Sequence, residues 1–137
     1  MADVSITAAS VVPGADAIIG TGTAGVAITA GQSIYLDVAT STWKLAIATS
    51  AAAAGSGGVT IALSNAAANQ PVNYLVSGSV TIGGTVVKAG VYVVSANAAG
   101  AIAPIADLGS GNYLSILGYA STTAILTLFK SATGVTK

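Results

Sequence analysis

The sequence predicts an all-β fold, a compact sandwich or small barrel of about ten short strands, and three observations carry that reading. The first is period-two alternation. In Trp43-Lys44-Leu45-Ala46-Ile47-Ala48, residues Trp43, Leu45 and Ile47 fall on one face and Lys44, Ala46 and Ala48 on the other. The second is punctuation, since short β-branched and aromatic runs are separated throughout by Gly, Ser, Asn and Pro. The third is repetition. Ala30-Gly31-Gln32-Ser33-Ile34-Tyr35-Leu36-Asp37, a turn over residues 38–42 and the return from Trp43 form a hairpin unit. A weaker copy recurs as Ala89-Gly90-Val91-Tyr92-Val93-Val94-Ser95, then Gly100-Ala101-Ile102-Ala103-Pro104-Ile105-Ala106.

Taken in order, residues 1–25 read as an extended N-terminal arm and Gly-rich turn, and residues 26–137 as a single β domain. In the arm, Val4 and Ile6 alternate with Ser5 and Thr7, Val11 and Val12 follow, and Pro13-Gly14 marks a turn. Such an arm fits an edge strand of its own domain or of a neighbouring subunit equally well. Val4, Ile6, Val11 and Val12 are therefore candidate contacts to a second subunit or a partner surface. The hairpin contributes Ile34, Leu36, Trp43 and Leu45 as candidate core anchors.

Residues 50–58 read as a loop, Val59 to Leu63 as a strand with Val59, Ile61 and Leu63 on one face, and Pro71 as the start of a strand through Val76. Gly83-Gly84 reads as a tight hairpin between Val80-Thr81-Ile82 and Thr85-Val86-Val87. An internal duplication is expected, with pseudo-repeats over residues 26–78 and 79–130. It aligns Ile34-Tyr35-Leu36 with Val91-Tyr92-Val93, Thr60 to Leu63 with Ser115 to Gly118, and Val72 to Val76 with Ala124 to Leu128.

Composition excludes whole classes of function. The 137 residues fit one domain with a modest core. Charged residues make up 6%, against roughly 25% in ordinary soluble domains. Four Lys balance four Asp, while Arg, Glu, His and Cys are absent. A net charge of zero gives no electrostatic footprint for nucleic acid or an anionic membrane. Without His, Cys or Glu a transition-metal site has almost no ligands, so neither metal nor cofactor is expected.

Mean hydropathy of +0.83 raises the membrane question, and residues 45–87 carry no charge. That span is broken by Gly55-Ser56-Gly57-Gly58, by Asn65, Asn69 and Gln70, and by Pro71, so no spanning helix is expected. The few aromatics do not furnish the girdles of an outer-membrane barrel. Met1 to Ser5 has no basic n-region, so the expectation is a chain made in the cytoplasm without a secretory signal. A surface with so few charges is poorly protected against self-association, and much of it is expected to be covered by partners.

No catalytic constellation survives inspection. Gly20-Thr21-Gly22-Thr23-Ala24-Gly25 has the spacing of a dinucleotide-binding loop, but no helix follows to aim its amides at a pyrophosphate, and Asp37 comes too early to hold a ribose. It reads instead as a flexible glycine turn between strands. Ser41-Thr42-Trp43-Lys44 fits a serine–lysine spacing, yet an alternating strand sends residues three apart to opposite faces. Asp37 and Asp107 read as turn caps, and general acid–base work at neutral pH has no histidine to use. Trp43 and the tyrosines read as core or interface anchors. The chain is not expected to be an enzyme.

The hairpin Ala30 to Asp37 with Trp43-Lys44-Leu45-Ala46 resembles the capsid decoration, or cement, proteins of tailed bacteriophages. The similarity continues through Gly58 to Leu63, Val76-Ser77-Gly78, Ala89 to Ser95, Gly100 to Pro104 and Tyr113 to Gly118. Residues 30–78 are more distantly similar to the lambda-type decoration proteins. The resemblance implies a β-rich protein on the outer surface of the virion. It would bind the major capsid protein, assemble with itself as a dimer or trimer, and stabilise the expanded head. A phage tail-fibre or receptor-binding module is the alternative reading.

Overall fold

Extended segments whose β-branched side chains recur every second residue can bury one face, and the punctuated runs of this chain do so. The computed structural model describes residues 3–55 and 58–137. Met1 and Ala2 of the arm, and Ser56 and Gly57 of the loop, lie outside the described residues. The strands are β1 (Val12–Pro13), β2 (Ile18–Thr23), β3 (Ser33–Asp37), β4 (Thr42–Leu45), β5 (Val59–Ile61) and β6 (Pro71–Ser77). They continue with β7 (Ser79–Thr81), β8 (Val91–Val94), β9 (Ile102–Pro104), β10 (Tyr113–Ala120) and β11 (Ile125–Thr136). Single 3₁₀ turns occupy Ala8–Ser10 and Ile105–Asp107.

The fold is a compact all-β sandwich. A six-stranded sheet runs β1-β7-β11-β10-β8-β9, and smaller sheets run β2-β6 and β4-β3-β5. An antiparallel bridge between Ala62 and Tyr74 links the two smaller sheets. The main core draws on both halves of the chain, with Ile61 and Leu75 packed among Val80, Val93, Leu117 and Leu126. A second cluster belongs to the first half alone and holds Ala24, Ile28, Ile34, Trp43, Ala62 and Val72.

The two halves repeat one another in topology. With the Ala62–Tyr74 bridge counted, the order β2-β6-β5-β3-β4 of the first half matches β7-β11-β10-β8-β9 of the second. Register repeats too: Ser33 pairs with Ile61 as Val91 pairs with Tyr119, and Ile34 pairs with Thr60 as Tyr92 pairs with Gly118. The turns entering β3 and β8 share their hydrogen bonds. Gln32 N–H donates to Thr29 O and Gly90 N–H to Val87 O, while Gly31 N–H donates to Ala62 O and Ala89 N–H to Ala120 O.

This register corrects the sequence alignment. Ile34, not Tyr35, is the counterpart of Tyr92, and Thr60 to Leu63 correspond to Gly118 to Ser121 rather than Ser115 to Gly118. Matching tyrosine to tyrosine slipped one residue, and in a pleated strand a one-residue slip exchanges the two faces. The alignment of Val72 to Val76 with Ala124 to Leu128 agrees with the register, because Gly20 pairs with Tyr74 as Val80 pairs with Leu126.

Three further expectations change. The stretch from Gly20 to Gly25 is not a turn, since Ile18–Thr23 forms β2 and pairs along β6, so a boundary at residue 25 cuts through a sheet. Gly83-Gly84 does not close a hairpin: β7 pairs with β1 and β11, and residues 85–87 form no strand. Finally, β5 is buried on both faces, because the Thr60 hydroxyl donates to Leu75 O and so needs no water.

Candidate interaction surfaces

The arm lies along its own domain. Val4 N–H donates to Ile102 O at 2.8 Å, Thr7 N–H to Gly83 O at 2.9 Å, and Ser95 Oγ to Asp3 Oδ1 at 2.6 Å. Val4 and Ile6 are half-buried against the main core and Val11 is buried in it. These three candidate contacts therefore spend their apolar surface on their own chain. Only Val12, at the sheet edge in β1, remains exposed. Of the candidate anchors, Ile34 and Trp43 are buried, while Leu36 and Leu45 pack half-buried against the smaller cluster.

The polar candidates are occupied by local tasks. Lys44 Nζ pairs with Asp37 Oδ2 at 2.6 Å, and Asp37 Oδ1 also accepts from Ala39 N–H. The Lys44 hydrogen bond, followed by that of Ala39, holds the Asp37 carboxyl below its ordinary range, and Asp37 in turn raises Lys44. Ser41 sits in the turn with a left-handed φ of 56°. Asp16 Oδ1 accepts from the Ser79 hydroxyl at 2.7 Å and from Ser79 N–H, and those bonds lower its pKa. Asp107 lies in the 3₁₀ turn after β9, and its Oδ2 is buried without a hydrogen-bond partner.

Why the G-T-G-T run of β2 is a strand becomes clear from what lies over it. A Cβ on Gly20 would meet the Tyr74 ring at 2.6 Å, and one on Gly22 would meet Trp43 Nε1 at 2.5 Å. Trp43 and Tyr74 form a tilted pair with centroids 4.5 Å apart and cover the glycine backbone. The glycines are there for close approach, not for a turn. A signal was present: glycine alternating with threonine is itself a period-two pattern.

A shallow cleft of about 290 Å³ lies between the arm and the 98–101 turn, lined by Val4, Ile6 and Gln32 among small residues and by no charged group. Its polar side chains are Thr29 and Gln32. What the surface offers is apolar strand. Ile18 and Ile19 of β2, at 59% and 49% exposure, stand near Val76 of β6. On the larger sheet, the parity that buries Ala120 and Leu126 turns Tyr119 and Phe129 outward, the latter 65% exposed. From sequence, Tyr119 reads as a core or interface anchor, and Ile18, Ile19, Val76 and Phe129 carry no surface assignment. Comparison with family models, curated proteins and solved structures finds no match.

Proposed function

We propose that this chain is a structural virion protein that binds the major capsid protein on the outer surface of a bacteriophage head and stabilises the expanded shell. The observation that carries the reading is the run of family-like motifs from Ala30 to Gly118, in order, on an almost uncharged β-sandwich. Exposed apolar side chains on well-formed strands, Tyr119 and Phe129 above all, support it, because such surface serves burial against a partner. The role is mechanical: added apolar contact across capsid-protein junctions opposes their separation.

The test uses purified expanded heads that lack the protein. Added protein should bind in high copy and raise the temperature at which heads break. Phe129→Lys should weaken binding while leaving the thermal unfolding of the free protein nearly unchanged. Heads of equal stability with and without bound protein, or a few copies confined to the tail, would overturn the proposal. The second outcome favours a receptor-binding module.

A further inference from the structure

The arm reaches both edges of the second repeat's sheet. Its start lies on β9. Ser95 N–H donates to Ala101 O, so by ladder geometry the next residue, Ile102, turns its carbonyl away from β8, and Val4 N–H takes it. The far end lies on β7, where Val12 pairs with Thr81 and Gly14 N–H donates to Ser79 O. In the set β7-β11-β10-β8-β9 these are the two outermost strands, so one short segment covers both edges that an open sheet would leave unpaired.

Between its ends the arm runs over a floor of glycine. A Cβ on Gly83 would meet Thr7 O at 2.5 Å, and one on Gly84 would collide with Ser5 O. On Gly31 it would meet Ile6 Cγ2 at 2.5 Å and Val11 Cγ2 at 3.0 Å. Gly31 belongs to the first repeat and Gly83 and Gly84 to the second, so the arm also spans the seam between them. Such a floor lets the backbone approach closely but offers no side chain to interlock with it. On the outer side Ser5, Thr7, Ala9, Ser10 and Val12 are exposed. Polar fastening sits at the two ends, with Asp3 on Ser95 and Asn97, and Gly14 on Ser79.

Two features couple those ends. Ile6 and Val11 converge on the same glycine, so lifting either side chain uncovers the other. Between them the 3₁₀ turn Ala8–Ser10 has hydrogen bonds of its own, Ser10 N–H to Thr7 O and Val11 N–H to Ala8 O, and can move without being unmade. We infer that the arm is a strap that opens and closes as one unit while the sandwich beneath stays folded, uncovering the edges of β7 and β9 together. Its hinge is the exposed Ala15, beyond which Asp16 stays fixed to Ser79. This is a property of the free protein and goes beyond the proposed function, since no head is needed for it.

The test is amide hydrogen exchange in the full chain, read residue by residue under native conditions. Val4, Thr7 and Gly14, which donate from the arm to the body, should share one protection factor, smaller than that of Leu126 in β11. Ile6→Ala should speed all three by the same factor, about tenfold or more, Gly14 included. Val72→Ala, in the cluster that holds no arm residue, should speed Leu126 by lowering global stability and leave the three arm amides unchanged. Unequal protection, or an Ile6→Ala effect that fades toward Gly14, would mean independent fraying and overturn the inference. So would arm amides that accelerate with Leu126 in Val72→Ala, because the arm would then open only by global unfolding.

Discussion

The two halves of the chain solve one packing problem in opposite ways. Where β2 faces its neighbours, glycines lie under aromatic rings: Gly20 under Tyr74 and Gly22 under Trp43. At the equivalent places of the second half, Val80 faces Leu126, and Ile82 and Ile102 stand where Gly22 and Trp43 stood. In the first half one strand of each pair carries nearly all of the side-chain bulk, whereas in the second half the two strands share it, and a close-packed interior must match the two strands to each other in either case. The difference has a consequence at the edge. In the second half the arm covers the edge of β7, whereas in the first half β4 itself meets the end of β2 through the parallel Ala24–Trp43 bridge, and Trp43 packs in a second cluster that belongs to that half alone.

The comparison breaks most severely at Trp43. Trp43→Ala removes the cover of Gly22 and should cost about 3–5 kcal/mol, read as a lowered denaturant midpoint. Ile102→Ala at the equivalent place should cost about 2–5 kcal/mol. Gly22→Ala drives a Cβ into the indole and should cost about 1–3 kcal/mol by overpacking. The decisive case is Gly22→Ile combined with Trp43→Ile, which writes the second half's solution into the first. If volume complementarity governs these pairs, the double variant should be more stable than the sum of its single changes, by about 0.5–3 kcal/mol of coupling. Strict additivity would mean that the two halves are alike in topology only.

A smaller difference lies in the turns that launch β3 and β8. Gly31 holds φ at +90°, and its counterpart Ala89 holds +67°, a left-handed conformation that a side chain resists. Ala89→Gly relieves that strain but frees the unfolded chain, so the net change should lie within about 1 kcal/mol. Gly31→Ala should be clearly destabilising, because its new Cβ would also meet Ile6 Cγ2 at 2.5 Å. Equal costs for the two substitutions would show that the arm, of which Ile6 is part, yields freely at this point.

These contrasts explain what the chain could and could not disclose before its structure. The all-β class was legible because punctuated β-branched runs and the placement of Pro71 are local properties, written in consecutive residues. The alternation read over Trp43 to Ala48 holds only to Leu45, where β4 ends, and Ala46 and Ala48 beyond it are buried. The repeat was legible, but its register was not. Tyr35 and Tyr92 match by identity, whereas register is decided by which face meets the core. The arm's partner was hidden for another reason: Val4, Ile6 and Val11 suit any apolar surface, and only the position of Ile102, about a hundred residues on, decides which one they meet. β2 was misread because glycine signals both freedom and close approach, and only Trp43 and Tyr74 overhead choose between them.

The weakest expected effect separates the halves by pH. Asp16 clamps the start of the first half to Ser79 of the second, while Asp37 pairs with Lys44 inside the β3–β4 hairpin. Both carboxyls are held below their ordinary value of 3.8, Asp16 by the Ser79 hydroxyl and Asp37 by Lys44. A carboxyl with a lowered folded pKa contributes stability above its unfolded value and loses it as pH falls through the folded one. Both contributions should therefore fade below about pH 4. Lys44 is raised above 10.5, so its contribution is present below that value and fades only as pH climbs through the raised one. The hairpin pair is thus sensitive at both ends of the scale and the Ser79 clamp at the acid end alone. In thermal melts across pH, Asp16→Asn should flatten only the acid limb, whereas Asp37→Asn should flatten both. An alkaline limb unchanged by Asp37→Asn would show that water already screens the Lys44 pair to nothing.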